Sequence, residues 1–414
     1  MIQQNNLCEI YTKENIQFPL VDSSYDNQEI LSCIGTLLGG QLTMGHQVAK
    51  FEAAFSEFIG LPYSVMVNSG SSANLLVFSA ITNPLRDKHL LRGDKVAIPA
   101  VCWSTSLWPI IQTGLIPVLI DVDPETLNVS IECLKDALSQ HDIKAIMMVH
   151  VLGNSTELGE LLELAKNNKL ILIEDTCESL GSRYLDNYLG SLGDFGTFSF
   201  YFSHHITTIE GGMVIAKTQE DMDLLRCLRT HGWSREQSNR QDLEQTYNHI
   251  DPRFLFINMG YNLRPMEIQA AFGLEQINRL GHMNKHRREN ANKLRKAFSE
   301  HPLWKHQLYF PKATKDLDPC WFGFPFLVDE NINCKRFAHE LLNCGIDTRP
   351  IISGNMALQP AIKHFNVDLS MAPFAGAQEI HDRGFFIGCH AKPLKQARVD
   401  KLATIVLQCI EELS

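Results

Sequence analysis

Short apolar runs alternate with longer amphipathic stretches along the first half of the chain. Runs of this kind are typical of strands that are buried on both faces of a sheet. Seven of them lie at 65–67, 95–99, 116–121, 145–150, 170–174, 196–200 and 212–216. Helical patterns such as 72–80 and 130–139 separate most of these runs. The alternation predicts an α/β domain whose largely parallel sheet is covered by helices on both faces.

The pattern changes near Met266, where a long helical stretch begins that runs from Glu267 through Ala297. Three further apolar or helical segments follow it, at 320–328, 334–342 and 397–413. We interpret the long helix as a linker and the later segments as a smaller α+β domain. The predicted division is 1–275 for an N-terminal segment with the large domain, and 276–414 for the linker helix with the small domain.

The composition is that of a globular protein with a large core. Of the 414 residues, 44% are hydrophobic and 20% are charged, and the formal net charge is -10. This acidic balance, without a basic run interleaved with aromatic residues, argues against a nucleic-acid-binding surface. No signal peptide is recognisable at the start, and no stretch approaches the roughly 20 apolar residues of a membrane span. Eleven cysteines, scattered singly from Cys8 to Cys409, predict a reduced, cytoplasmic protein without a metal site.

A glycine and serine turn follows the first predicted strand. The stretch reads Asn-Ser-Gly-Ser-Ser-Ala-Asn at 68–74, directly before a helical pattern. The backbone N–H groups of Gly70 and Ser71, together with the positive end of that helix, could hold a phosphate. The same residues also form ordinary turns, so the stretch alone leaves both interpretations open.

Two further segments follow predicted strands and carry polar or aromatic side chains. Trp103 comes just after the strand at 95–99, in the region where open α/β sheets bind ligands. Its ring could stack on a flat cofactor or belong to the core. Glu174, Asp175 and Glu178 end another apolar run, where carboxylates are costly unless they are paired. A pyridinium nitrogen is one partner for Asp175, and capping of a helix is the alternative.

These segments, together with Gly-Thr-Phe-Ser-Phe-Tyr-Phe-Ser-His-His-Ile-Thr-Thr-Ile-Glu-Gly-Gly at 196–212, resemble the DegT/DnrJ/EryC1/StrS family of sugar aminotransferases. The resemblance extends from about Val21 to the C-terminus and implies the fold-type I architecture of pyridoxal-phosphate enzymes, with a mainly parallel seven-stranded sheet. It assigns these residues to the cofactor: Gly70, Ser71 and Ser199 at the phosphate, Trp103 over the ring, Asp175 at the ring nitrogen and Glu178 near the ring hydroxyl. Asn262 would reach the phosphate of a neighbouring subunit, which implies a homodimer with shared active sites.

His204 occupies the position at which this family carries its catalytic lysine. An imidazole cannot form the Schiff base by which that lysine holds the cofactor. Four segments, at 204–212, 230–235, 318–324 and 349–355, are similar to the sugar 3-dehydratase branch of the family, which uses histidine instead. Some members of this branch carry an iron-sulfur cluster, but no cysteine lies between Cys227 and Cys320 to hold one. The resemblance is therefore to the cluster-free members, which act on GDP-4-keto-6-deoxymannose in dideoxysugar biosynthesis for O-antigen lipopolysaccharide.

The resemblance also implies the course of the reaction. L-glutamate would convert pyridoxal phosphate into pyridoxamine phosphate and leave as 2-oxoglutarate. The amine would then promote loss of the C3 hydroxyl of the 4-keto sugar, and hydrolysis would release ammonia. His204, with an ordinary pKa of roughly 6.5, would act as the base. His205 is the alternative for the same role. The family's lysine stands at a fixed spacing before the Glu-Gly-Gly motif, here at 210–212, and this spacing corresponds to position 204, so His204 is favoured.

Three arginines in the family motifs are candidates for binding anions, because a guanidinium matches carboxylates and phosphates in a bidentate way. Arg349 is assigned to the carboxylate of glutamate and Arg235 to the nucleotide sugar. Arg264 is a weaker candidate for phosphate. No role is assigned to residues 1–20 or 236–251.

Two rival functions remain open at this point. The first is an ordinary sugar aminotransferase with a displaced lysine, although Lys217, the next lysine after His204, is predicted to lie out of reach. The second is a regulatory protein that binds the cofactor without activity. The chain retains Asp175 and the other cofactor residues, which argues against the regulatory protein. A protein that only binds the cofactor has less need of an acid that keeps the ring nitrogen protonated and lets the ring accept electrons.

Overall fold

Residues 16–413 are described by the computed structural model of the chain. Up to the middle of the central sheet, the elements are α1 (Asn27–Leu38), α2 (His46–Ile59), β1 (Tyr63–Val67), α3 (Gly70–Ile81), β2 (Lys95–Pro99), α4 (Ser104–Gln112), β3 (Ile116–Ile120), β4 (Val122–Asp123), β5 (Asn128–Val129), α5 (Ile131–Gln140), β6 (Ile143–Val149), α6 (Leu158–Asn167) and β7 (Ile171–Asp175). The later ones are β8 (Arg183–Tyr184), β9 (Asn187–Tyr188), β10 (Phe195–Ser199), β11 (Gly212–Ala216), α7 (Gln219–Arg229), α8 (Arg240–Thr246), α9 (Glu267–Ser299), β12 (Leu308–Tyr309), β13 (Leu317–Asp318), β14 (Gly323–Val328), α10 (Cys334–Asn343), β15 (Thr348–Pro350), α11 (Ala375–Arg383), β16 (Gly384–Gly388) and α12 (Gln396–Glu411).

The central sheet has seven strands in the order β1-β11-β10-β7-β6-β2-β3. Strand β11 pairs antiparallel with both of its neighbours, and the other six strands run parallel to one another. These seven strands are the seven runs that the sequence predicts, with ends that differ by at most two residues. The predicted α/β fold class is therefore confirmed.

Both faces of this sheet are covered by helices, as the continuous apolar strands require. Along β1, Val65 and Val67 point into a cluster that includes residues of α3 and α4, whereas Met66 points into the cluster of α2 and α9. Side chains that alternate between two buried faces explain why the stretch 65–67 of this strand is an unbroken apolar run. Among the described residues, no helix is long and apolar enough to cross a membrane.

A second, four-stranded sheet follows the long helix α9, in the order β12-β14-β16-β15 with antiparallel pairing. Its core is rich in aromatic side chains that are fully buried, namely Phe298, Phe324, Phe326, Phe337 and Phe385. Helix α9 is continuous across the predicted boundary between residues 275 and 276, and it contacts both α2 and α12. The exact division into two domains stays a prediction. Residues 1–15, part of the unassigned N-terminal segment, lie outside the described residues.

A buried ion pair joins α7, α2 and β1 beneath the turn that follows β1. Arg229, only 1% exposed, donates from Nη1 to Glu52 Oε1 and to the Met66 carbonyl, both at 2.7 Å. Its Nη2 donates to Glu236 Oε2 at 2.5 Å. Glu236 begins the segment 236–251 that the sequence leaves without a role, and this bond fixes the start of that segment to the core.

We expect Arg229→Met to lower the free energy of unfolding by about 3 to 5 kcal/mol, because it removes the buried cation that Glu52 and Glu236 share. Glu52 then keeps only its ion pair with the half-buried Arg226, at 3.1 Å. Urea denaturation followed by circular dichroism measures the change. Lys135→Met is the control, because Lys135 pairs with Glu132 and Glu160 in an exposed position. Equal denaturation midpoints for Arg229→Met and the parent protein would contradict the structural role of this ion pair.

Candidate active site

The carboxyl ends of the parallel strands surround a cavity of about 440 Å³. Parallel sheets bind ligands at this edge because the connections to the helices diverge there. Seven of the residues that the sequence assigns to the cofactor or to catalysis line the cavity, namely Gly70, Ser71, Trp103, Asp175, Glu178, Ser199 and His204. The lining also includes residues that the sequence analysis missed, among them Asn74, Thr105, Ser106, His150, Cys177, Tyr201 and Phe322.

One end of the cavity is formed by the N-terminus of α3. The helix begins at Gly70, and the Ser69 hydroxyl caps it by accepting a hydrogen bond from the Ser72 N–H at 3.1 Å. A Cβ atom at Gly70 would lie 2.5 Å from Ser199 Cβ, so only glycine lets the helix approach β10 this closely. Ser71 Oγ is 2.9 Å from Thr105 Oγ1. The first N–H groups of a helix have no partner within the helix, so this end favours an anion.

Asp175 lies at the end of β7 and is 4% exposed. Its Oδ2 accepts hydrogen bonds from Asn74 Nδ2 at 2.9 Å and from Ser106 Oγ at 2.7 Å, and its Oδ1 accepts from the Cys177 N–H at 3.1 Å. Turns rather than a helix follow Asp175, so the alternative role of helix capping is wrong. A buried carboxylate that accepts this many hydrogen bonds is positioned to hold a cationic partner.

Glu174 points to the other side of β7 and does not line the cavity. It accepts hydrogen bonds from His150 Nε2 at 2.9 Å and from the N–H groups of Gly190, Leu192 and Gly193. Burial would raise the pKa of this carboxyl, but the bonds from His150 and the backbone outweigh it, and the pKa is lowered. Glu174 therefore has a structural role, and it positions the ring of His150 at the cavity wall.

His204 faces the cavity between two aromatic rings. Its ring centroid is 5.1 Å from that of Phe322 and 6.0 Å from that of Tyr201, both edge to face. Its Nδ1 is buried and has no hydrogen-bond partner. Burial is the main reason why the pKa of His204 is lowered to about 4, well below the ordinary value that the sequence analysis assumed. The imidazole is therefore neutral near pH 7 and can accept a proton.

His205 is fully buried, lies behind His204 and does not line the cavity. Its Nε2 donates to the Cys320 carbonyl at 3.0 Å, which ties this loop to the segment before β14. The ring is thus engaged in the core, and the position of His204 at the cavity wall agrees with the choice made from the sequence.

Trp103 and Glu178 both line the cavity, and they differ in exposure. Trp103 is 57% exposed, so its ring does not belong to the core and is free to stack on a ligand. Glu178 Oε2 accepts from the Leu152 N–H at 3.0 Å. Burial, together with the nearby Asp175 charge, raises the pKa of Glu178 to about 7. Glu178 can therefore carry a proton near neutral pH.

The remaining candidates lie outside this cavity. Arg349 lines a second cavity of about 420 Å³, which adjoins the first at His204. Arg235 and Arg264 line a separate cleft of about 250 Å³, where Arg235 Cζ lies 3.8 Å from the centre of the Trp233 ring. Asn262 is exposed and accepts a hydrogen bond from Arg264 Nε at 3.0 Å. Within one chain, Arg235, Arg264 and Asn262 therefore do not line the cavity that holds the other site residues.

The central sheet has seven strands, of which one is antiparallel, and a buried acid at the end of β7 lies near the N-terminus of α3. This is the architecture of fold-type I pyridoxal-phosphate enzymes. The chain belongs to the DegT/DnrJ/EryC1/StrS aminotransferase family, which it matches over residues 23–407.

Within this family, the chain is similar to several sugar 3-dehydratases. A GDP-4-keto-6-deoxy-D-mannose 3-dehydratase of Yersinia pseudotuberculosis is 35% identical over 386 residues, which cover 92% of this chain and 96% of that protein. The structure of the E. coli GDP-4-keto-6-deoxy-D-mannose-3-dehydratase with bound hydrated PLP is 34% identical, with a TM-score of 0.88 over 94% of this chain and 99% of that chain. A structure of such a dehydratase with a trapped PLP-glutamate geminal diamine is 33% identical, with a TM-score of 0.87 over 94% of this chain and 100% of that chain.

The raised pKa of Glu178 predicts a pH-dependent gain in stability for Glu178→Gln. Between pH 4.5 and about 7, the folded protein holds this proton more tightly than the unfolded chain does, so ionisation opposes folding as the pH rises. In protein freed of small ligands, we expect nearly equal unfolding at pH 5, and at pH 8 a variant that is more stable by roughly 1 to 3 kcal/mol.

Thermal unfolding at both pH values measures this difference, with Glu330→Gln as a control on the exposed surface. A Glu178→Gln variant whose stability relative to the parent protein is the same at pH 5 and pH 8 would show that Glu178 is ionised throughout this range.

Proposed function

We propose that the chain is a nucleotide-sugar 3-dehydratase that uses pyridoxal and pyridoxamine phosphate. Its proposed substrate is GDP-4-keto-6-deoxymannose, its proposed amino donor is L-glutamate, and its proposed location is the cytoplasm. The observation that carries this proposal is a neutral imidazole, His204, at the cavity wall where related aminotransferases carry lysine. The similarity to 3-dehydratases over nearly the whole chain supports the same reaction class.

The cavity residues fit such a cofactor. The N-terminus of α3, with the close approach that Gly70 permits, would take the phosphate, and Ser71 and Ser199 lie beside it. Asp175, held by Asn74 and Ser106, would keep the ring nitrogen protonated. When bound, the cofactor supplies an amine that condenses with the C4 ketone of the sugar and a ring that accepts electrons.

Several side chains then have defined tasks. Trp103 covers the ligand from the solvent side, and Glu178 provides a carboxyl that can hold or release a proton next to the ring hydroxyl. His204 is neutral, so its free nitrogen can take the proton that must leave before the C3 hydroxyl departs. The aromatic rings of Tyr201 and Phe322 restrict its orientation and limit the access of water.

The rival aminotransferase needs a lysine near the ligand. Lys217 follows the end of β11 that is remote from the cavity, because this antiparallel strand begins beside the turn at Ser69 and ends at Ala216. Lys217 Nζ donates instead to the Leu192 carbonyl at 2.7 Å. No lysine is among the described residues that line either cavity. These observations favour the dehydratase.

The direct test is incubation with glutamate and GDP-4-keto-6-deoxymannose, and detection of the 3-deoxy product by mass spectrometry. We expect His204→Asn to retain the cofactor but to form product at least about 100-fold more slowly, because it removes the general base. His339→Asn, on the exposed side of α10, is the control.

Each other outcome has a clear meaning. Product formation by His204→Asn at the parent rate would show that another group is the base. Turnover of the corresponding CDP sugar alone would reject the proposed nucleotide but keep the reaction class. A parent protein that binds the cofactor, but whose absorption spectrum does not change with glutamate, would favour the regulatory role.

We further propose that the protein works as a homodimer with shared active sites. One face of α1 exposes Ile30, Leu31, Ile34, Leu37 and Leu38, the last of which is 83% exposed. An apolar helix face of this extent is typical of a surface that another chain covers. Asn262 is exposed and does not line the cavity of its own chain, so it is available to a neighbouring site.

Shared sites predict complementation between two inactive variants, His204→Asn and Asn262→Asp. The second introduces a carboxylate where the phosphate of the other subunit would be held. If the two are refolded together in equal amounts, about half of the dimers are mixed, and each mixed dimer has one site with both native residues. We expect about a quarter of the parent activity in a steady-state assay. Activity no higher than that of the separate variants would contradict a shared site.

A further inference from the structure

The second cavity lies between the large domain and the C-terminal sheet. It meets the first cavity at Tyr201, Ser203, His204 and Phe322, so a molecule in it reaches the proposed base. Its outer wall includes residues 19–22 and Ser24 of the N-terminal segment. That segment is fixed in place, because His390 Nε2 donates to the Pro19 carbonyl at 2.8 Å and Gln276 Nε2 donates to the Ser24 carbonyl at 3.1 Å.

Arg287 brings a buried positive charge to this cavity. It extends from α9 and is 5% exposed, and its Nη1 donates to the carbonyl oxygens of Phe322, at 3.0 Å, and Cys389. Its Nε has no hydrogen-bond partner, and no described carboxylate lies within 4.0 Å of the guanidinium. Arg229 is buried to the same degree but contacts two carboxylates. A buried guanidinium without an anion is costly, and a bound anion would offset that cost.

Arg349 provides a second guanidinium in the same cavity. It lies on β15, is exposed, and donates from Nη1 to Asp347 Oδ1 at 3.0 Å. The two acids that line the cavity are both engaged, since Asp347 holds Arg349 and Asp22 lies 3.7 Å from Lys392. The cavity therefore offers a deep guanidinium without a carboxylate partner and an outer guanidinium that Asp347 holds in place, one for each carboxylate of a dicarboxylic ligand.

The positive charge of Arg287 also acts on His204. Both side chains line this cavity, and the charge of Arg287 adds to the effect of burial in lowering the pKa of the imidazole. An amino acid must bring its amino group to the cofactor beside His204, so the carboxylate next to that amino group lies nearest to Arg287. Neutralisation of Arg287 by this carboxylate would make His204 a stronger base.

We propose that the second cavity binds the amino donor as a dicarboxylic amino acid, with Arg287 holding its α-carboxylate and Arg349 its side-chain carboxylate. This inference rests on the proposed function, because only that reaction requires an amino donor. It adds Arg287 as a binding residue, and it divides the recognition of the donor between a buried and an exposed group.

The test follows the two half-reactions of the holoenzyme separately. For Arg287→Gln, we expect the glutamate concentration that half-saturates conversion of the aldehyde form to the amine form to rise about 30-fold or more. Conversion of the sugar by enzyme loaded with pyridoxamine phosphate should change far less. Arg287→Lys keeps the charge and should recover part of the affinity for glutamate.

Arg288→Gln is the matched control, because it removes the same charge one residue away, where Arg288 pairs with Asp318. Its affinity for glutamate should equal that of the parent protein. Arg349→Gln should instead reduce the preference for glutamate over glutamine, whose side chain is neutral.

Two results would overturn the proposal. Parallel losses in both half-reactions of Arg287→Gln, without recovery in Arg287→Lys, would show that Arg287 only joins α9 to the C-terminal sheet. Unchanged affinity for glutamate in Arg287→Gln would remove it from the site. Failure of the proposed dehydration is a separate outcome, since the half-reaction with glutamate is measured without the sugar.

Discussion

The carboxylate of Asp175 is the point at which the elements of the active site are joined. It accepts bonds from Asn74 of α3 and from Ser106 of α4, and Asn74 in turn accepts from Thr197 of β10 at 2.6 Å. The carboxylate thus holds two helix starts and two strand ends in one arrangement. Its burial is tolerated because both carboxylate oxygens accept hydrogen bonds. In the proposed function, this carboxylate would be the partner of a protonated ring nitrogen.

Burial also determines the protonation of His204, because it lowers the pKa of the imidazole. A desolvated imidazole loses its proton, so replacement of the family's lysine by histidine gives a neutral acceptor rather than a second cation. A base with a pKa near 4 is weak in water, but its strength depends on the charges nearby. Arg287 lowers the pKa of His204 and Asp175 raises it. Binding of the proposed donor at Arg287 would therefore link its arrival to the basicity of the histidine.

The sequence predicts the sheet well because parallel strands buried on both faces are continuous apolar runs. It also predicts that the strand ends carry the site, since motifs that follow different strands meet at one edge. Adjacent side chains of a strand point to opposite faces, so the sequence could also have predicted that only one of Glu174 and Asp175 faces the cavity. No sequence pattern marked His150 or Arg287 as a residue of the site. A single histidine and a single arginine on a helix are common, and their roles depend on elements that meet only in the folded chain.

The contrast between two buried arginines shows how an acidic protein can offer a positive site to the acidic donor that we propose. Arg229 is surrounded by Glu52 and Glu236, so its charge is cancelled inside the fold and serves stability. Arg287 is equally buried but contacts only carbonyl oxygens, so its charge acts on the cavity. The formal net charge of -10 therefore says little about the ligand. At distances of a few ångströms inside the protein, one uncompensated guanidinium outweighs many screened carboxylates on the surface.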